Sequence, residues 1–116
     1  MEDLKKDAED NKIMGILAYL GILVLVPIFA AKESRFARFH ANQGLVLLIA
    51  LIVVYIAIMV LGIVLAFVST TLALLTSLLS LVVWIGWLVF VIIGIINAAK
   101  GEMKELPIIG KYTILK

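Results

Sequence analysis

The chain has 116 residues, of which 65% are hydrophobic and 16% charged, with a formal net charge of +2. An ordinary globular domain is roughly 45–50% apolar and about 25% charged. So few charges cannot cover so apolar a single domain in water, which excludes a soluble monomer and a disordered chain and predicts an integral membrane protein.

The charges fall in three blocks, Glu2 to Lys12, Lys32 to Arg38 and Lys100 to Lys116. The polar segment 1–12 holds Lys5, Lys6 and Lys12 against Glu2, Asp3, Asp7, Glu9 and Asp10. That balance does not suit the positive n-region of a secretory signal. No small-x-small site follows the next apolar run convincingly, because Phe29 stands two places before Ala31. The uncharged run 13–31 is therefore read as a first transmembrane helix, kinked near Leu23–Pro27 where Pro27 removes a backbone donor. The competing reading lays this segment on the membrane surface.

From Ala41 to Ala99 no residue carries an acid or a base, a stretch of 59 residues. As one helix it would run about 88 Å at roughly 1.5 Å per residue, against about 30 Å of bilayer core. It must cross twice, as helices, because hydrocarbon offers the backbone no hydrogen-bond partners. The spans are placed at 44–68 and 72–99. Ser69-Thr70-Thr71 is the favoured turn, since short hydroxyl side chains bond local backbone; Thr76, Ser77 and Ser80 leave a later turn open. Trp84 and Trp87 fall well inside the third span, where they are expected to pack between helices. The predicted fold is an all-α integral membrane domain over 1–116. It has three transmembrane helices, a basic interfacial loop helix and an amphipathic interfacial tail over 100–116.

Three spans put the N-terminus and the Ser69–Thr71 turn on one side, with three basic residues. The loop and tail lie on the other with seven: Lys32, Arg35, Arg38, Lys100, Lys104, Lys111 and Lys116. Basic residues in short loops favour the cytoplasm, so the N-terminus is predicted outside and the C-terminus inside. The basic face suits anionic lipid, with Lys32, Arg35, Arg38, Lys100 and Lys104 as head-group contacts. No basic stripe alternates with aromatic residues, so nucleic acid is not an expected partner. Cysteine is absent, so neither disulfides nor thiolate metal sites are available; one His and unspaced acids add no ligand set, and no cofactor is expected.

The segment from Arg35 to Gly44, RFARFHANQG, is the most unusual. As a helix it sets Phe36, Phe39 and Gln43 on one side and Arg35, Arg38 and Asn42 on another, an interfacial pattern with Phe rings down and Arg heads toward phosphates. His40, Asn42 and Gln43 then stand at the mouth of the second span, with Asn97 at a similar depth in the third. This inner-face polar cluster reads either as helix caps and interhelical hydrogen bonds or as a shared site for a head group, peptide or partner. His40 is a base in search of a nucleophile, and the chain places none beside it. Gly101 can end the third helix, and Pro107 forces extended backbone at Leu106. The apolar tail beyond reads as an anchor or as a docking segment. No span carries an ionisable residue, against an ion-coupled transporter or proton pump. Gly62–Ala66 and Gly94–Ala98 permit close helix packing, Tyr19 and Tyr55 need hydroxyl partners, and self-association is expected of so thin a bundle.

Phe39-His40-Ala41-Asn42-Gln43-Gly44 before a long apolar span resembles a family of small bacterial and archaeal membrane proteins related to a chloroplast inner-envelope import subunit, the Tic-twenty-like group. So do Asn97-Ala98-Ala99-Lys100-Gly101-Glu102 and Leu106-Pro107-Ile108-Ile109-Gly110. Some magnetosome membrane proteins look similar too. The resemblance covers the chain from about Ile13. It implies a multi-pass protein of a prokaryotic cell membrane, linked to protein import or membrane organisation, and carries over no catalytic residue. The plant relative is four-spanning, where this chain fits three. The favoured function is a non-enzymatic scaffold or accessory subunit acting through assembly with itself or a membrane protein partner. The alternative is an oligomeric pore or lipid-handling protein.

Overall fold

The computed structural model describes residues 2–115; Met1 and Lys116, the last of the seven basic residues counted above, lie outside the described residues. Among the described residues the regular elements are all helical: α1 (Glu2–Asp10), α2 (Lys12–Leu17), a 3-10 turn (Gly21–Val24), α3 (Leu25–Ala30), α4 (Arg35–Ala66) and α5 (Thr70–Ala99).

Helices α4 and α5 form a long antiparallel pair that parts at Phe67–Ser69, and the molecule measures 60 × 22 × 21 Å. Both helices are long and apolar enough to cross a membrane. The stretch from Leu45 to Ala66 runs about 33 Å at 1.5 Å per residue, close to a bilayer core of about 30 Å. Its outer surface is apolar on every side: Val53, Ile56 and Ile63 on α4, and Leu74, Leu78 and Val82 on α5, are all exposed. Such a surface calls for lipid or a partner protein to cover it. At mid-length the Trp84 indole N–H donates to the Tyr55 hydroxyl, joining the two helices, and Trp84 stacks edge-on against Trp87. The Thr76 and Ser80 hydroxyls bond back to carbonyls of their own helix.

The core lies at the other end, away from the turn. Ala18, Tyr19, Val24, Phe36, Ala41, Leu47, Val91, Ala98 and Leu106 form one buried cluster there. We call this end the head. All six elements contribute to it or pack on it, while the opposite end consists of α4 and α5 alone.

The first apolar run corrects the expectation of a third span. It is not one helix over 13–31 but two six-residue helices joined by a tight turn, doubled back on itself. The reversal occurs at Gly21, whose φ of +64° lies in the left-handed region that favours glycine. Pro27 does not kink a long helix; it stands in the first turn of α3, where a missing N–H costs little. The doubled segment is held by close backbone approach. A Cβ at Gly44 would overlap the Ala18 carbonyl, and one at Gly94 would overlap the Tyr19 ring.

Two further expectations change with it. The basic loop helix is not a separate interfacial element: Arg35 opens α4, which continues without a break into the apolar stretch. Phe36 is buried against His40 rather than turned to lipid, with ring centroids 4.6 Å apart. The described chain also begins and ends at the head, so the predicted placement of the two termini on opposite sides does not fit a pair of crossing helices.

Gly44→Ala is predicted to destabilise the head by about 1–3 kcal/mol through overpacking. Gly86→Ala, where an added Cβ meets nothing within 4 Å, is predicted to be tolerated. Thermal unfolding in detergent checks both.

Candidate functional site

The site is a polar joint at the head where three chain segments meet. Its first half is the start of α4. Ser34 is the N-cap, its hydroxyl accepting from the Ala37 N–H at 3.0 Å. From α1, the Asp7 carboxylate accepts from the Ser34 hydroxyl at 2.5 Å, the Phe36 N–H at 2.9 Å and the Asn11 amide at 2.9 Å. Burial alone would raise the Asp7 pKa, but these hydrogen bonds outweigh it and hold the carboxyl below its usual value of 3.8. A carboxylate at a helix N-terminus is also favoured by the helix dipole. Asp7 thus ties the N-terminal segment to α4. Within the acidic run of segment 1–12 it had no feature to single it out, although Ser34 with Arg35 after it is a readable cap.

One turn further along α4, His40 is fully buried. Its Nε2 lies 2.8 Å from the Glu102 carbonyl oxygen, and its Nδ1 lies 2.5 Å from the Tyr19 hydroxyl. A carbonyl only accepts, so Nε2 carries the proton and Nδ1 accepts from Tyr19. The rings of Tyr19, Phe36 and Phe39 stand edge-on to the imidazole at 5.4, 4.6 and 5.2 Å. The hydroxyl partner required by Tyr19 is therefore His40.

Asn42 and Gln43 hold the tail. The Asn42 amide donates to the Tyr112 carbonyl at 2.9 Å, and its oxygen accepts from the Ile114 and Leu115 N–H groups at 2.6 and 3.0 Å. Gln43 donates to the Gly110 carbonyl and accepts from the Leu106 N–H, both at 2.8 Å. The tail between them turns sharply: the Gly110 N–H reaches the Leu106 carbonyl at 3.0 Å. A Cβ at Gly110 would meet both that backbone and Gln43. The tail is not helical, and it lies along α4 rather than free on a surface.

Of the four expected cluster residues the structure joins three. Asn97 is buried, but its part is played by backbone: its carbonyl accepts from the Glu102 N–H at 2.9 Å, closing the end of α5 next to Gly101 (φ +72°). The expected head-group contacts Lys32, Arg35, Lys100 and Lys104 are exposed at the head, and Arg38 is half-buried. Lys104 lies 3.0 Å from Glu102, an exposed pair of small energetic weight. Arg35 and Arg38 line an open cleft of about 290 Å³ between α4 and the tail, with Phe39, Met103 and Thr113. Among the described residues no group of three His, Cys, Asp or Glu is placed to hold a metal ion.

Asn42→Ala removes three hydrogen bonds to the tail. It is predicted to cost about 1–3 kcal/mol and to speed proteolysis at Lys111, whereas Lys5→Ala leaves both unchanged. Limited proteolysis in detergent reads the difference.

Comparison with known proteins bears on what such a head serves. In Paramagnetospirillum magneticum (strain AMB-1), the magnetosome protein MamF is 49% identical and the magnetosome protein MmsF 43% identical, each over 35 residues. MamF of Magnetospirillum gryphiswaldense (strain MSR-1) is 46% identical over a stretch of the same length. That stretch is 30% of this chain, which spans about a third of the length of the curated relatives it matches. No solved structure matches. A family model matches residues 10–113, nearly the whole described chain, and by that match the chain belongs to the magnetosome magnetite crystal formation protein family.

Proposed function

We propose that this chain is a non-enzymatic membrane protein that acts through assembly in a bacterial membrane where magnetite crystals form. A two-helix anchor holds a polar head on the cytoplasmic side. The observation that carries the non-enzymatic reading is the use of the polar cluster. His40 has both ring nitrogens engaged, by Tyr19 and by the Glu102 carbonyl, and Asn42 and Gln43 are spent on tail backbone. An imidazole so engaged has no nitrogen left for a substrate proton.

The orientation follows from charge. Every described Lys and Arg lies at the head, and the Phe67–Ser69 turn between α4 and α5 carries none. Basic residues flanking membrane helices favour the cytoplasm, which supports both ends facing that side. The magnetosome relatives favour a crystal-bearing membrane over the general cell membrane. They also favour membrane organisation over protein translocation among the roles suggested by resemblance. Self-association belongs to the same reading: two helices enclose no channel, so a pore would need several copies.

The test uses a chain that contains no cysteine of its own. Single cysteines in place of Lys5, Val68 and Thr113 are predicted to react differently with an impermeant maleimide in intact cells of a host without crystal-bearing membranes, where the chain enters the cell membrane. Position 68 labels, while 5 and 113 label only after permeabilisation. Labelling of 5 and 113 from opposite sides contradicts the topology. In magnetite-forming cells lacking MamF and MmsF, the native chain is predicted to restore magnetite crystal formation and Asn42→Ala to restore it poorly. Failure of the native chain at normal membrane levels contradicts the function.

A further inference from the structure

We infer that the doubled segment 12–31 is a re-entrant wedge seated in the lipid leaflet on the head side, which drives the protein toward membrane that is convex on that side. The inference rests on the membrane embedding proposed above and adds a preference for curvature.

Depth comes first. The turn of the segment sits against the start of the apolar stretch, with Ala18 and Val24 against Gly44 and Tyr19 against Gly94. Arg38 and Lys100 each lie six residues outward from those glycines, about 9 Å at 1.5 Å per residue. Leu20 to Val24 therefore lie about 9 Å beneath a ring of charge, level with Gly44 and so at the boundary between the head groups and the acyl chains of one leaflet. Lys12 and Lys32 bracket the segment outside its uncharged run.

The outward surface of the segment matches that depth. Ile13, Ile22 and Phe29 are 71%, 68% and 66% exposed, and Leu20, Leu23 and Leu25 are exposed beside them. No charge occurs from Ile13 to Ala31, and the Tyr19 hydroxyl is turned inward to His40. Within the reversal the N–H groups of Tyr19, Leu20 and Leu23 reach the Ile16, Leu17 and Leu20 carbonyls at 3.1–3.3 Å, which reduces the bare backbone the segment presents to lipid. This apolar surface is continuous with that of α4 and α5, so its occupant is lipid.

The tail adds a second insertion on the same side. Ile108, at the tip of its turn, is 82% exposed and adopts a φ of +67°, a strained conformation for a β-branched residue. Its neighbour Ile109 lines an apolar groove between α4 and α5 together with Leu47 and Phe90. An exposed, strained isoleucine at this level has a reason if its side chain enters lipid.

The consequence is a difference in girth. On the head side, α2, α3, α4 and α5 share one leaflet; near the Phe67–Ser69 turn only α4 and α5 remain. With each helix about 10 Å across, the protein takes up about twice the area in the head-side leaflet. Insertion confined to one leaflet spreads that leaflet and binds best where it is already spread.

The test places an environment-sensitive fluorophore on Ile22→Cys, Ile108→Cys and Val60→Cys variants in phosphatidylethanolamine–phosphatidylglycerol vesicles. Positions 22 and 108 are predicted to be dry and quenched by nitroxides high on the acyl chain, and position 60 by nitroxides deep on it. The whole 116-residue chain is then offered small and large vesicles of that composition, counting molecules whose tail is accessible from outside. About threefold higher density on the small vesicles is predicted, falling to parity for the Ile22→Asp, Leu23→Asp double variant. A dry position 60 with a wet position 22, or equal density of the native chain on both vesicles, overturns the wedge and leaves the embedding intact. Wet signals at 22 and 60 together overturn the embedding itself.

Discussion

The two hydrogen bonds of His40 are the constraint on which the rest of the head depends. One runs to the Tyr19 hydroxyl of the doubled first segment, the other to the Glu102 carbonyl where the chain leaves α5. Without them a buried imidazole and a buried phenol would each lack a partner, at a cost of about 1–3 kcal/mol per group. With them, the first segment, α4 and the tail are fixed at one point. Asn42 and Gln43 extend that fixation along the tail, and Asp7 extends it to α1. In a low-dielectric head every member of such a network must be satisfied, which is why so polar a row can be buried at all.

The polar joint forms because the backbones around it come close. Gly15 lies against Phe36 and His40, Gly44 against Ala18, and Gly94 beneath the Tyr19 ring. Larger residues there would push the first segment off the helix pair and separate Tyr19 from His40. Beyond Leu47 and Val91 the pattern ends, and the two helices present apolar side chains outward. The chain therefore obeys two rules along its length: polar satisfaction and close packing at the head, and an all-round apolar exterior toward the turn.

The uncharged stretch, with its two long helices, was legible from residues 41–99 because lipid imposes a coarse demand on length and composition. The row His40, Asn42, Gln43 was legible as polar residues where none are cheap. The fate of segment 13–31 was not, because apolar composition suits a continuous helix and a doubled one equally well. Gly21 ahead of Pro27 is the local signal for the reversal, and its weight appears only once the packing of Ala18 and Tyr19 is known. The expected sidedness of the termini rested on a continuous helix there. Asn97 was grouped with the cluster by depth, but depth does not fix direction, and its backbone rather than its side chain takes part. Asp7 was hidden in a run of like residues, since a cap across 27 residues leaves no trace in spacing.

Membership in a magnetite crystal formation family gives this architecture a setting. A head that spends its polar groups on itself, above an anchor without ionisable residues, suits a protein that shapes or organises a membrane. The measurement that tests the account most directly is a double-mutant cycle between Tyr19→Phe and His40→Ala, read as unfolding free energy in detergent. Residues that share a buried hydrogen bond couple, and a coupling of about 1–2 kcal/mol is predicted. Effects that simply add, within about 0.3 kcal/mol, would contradict a head organised around this joint.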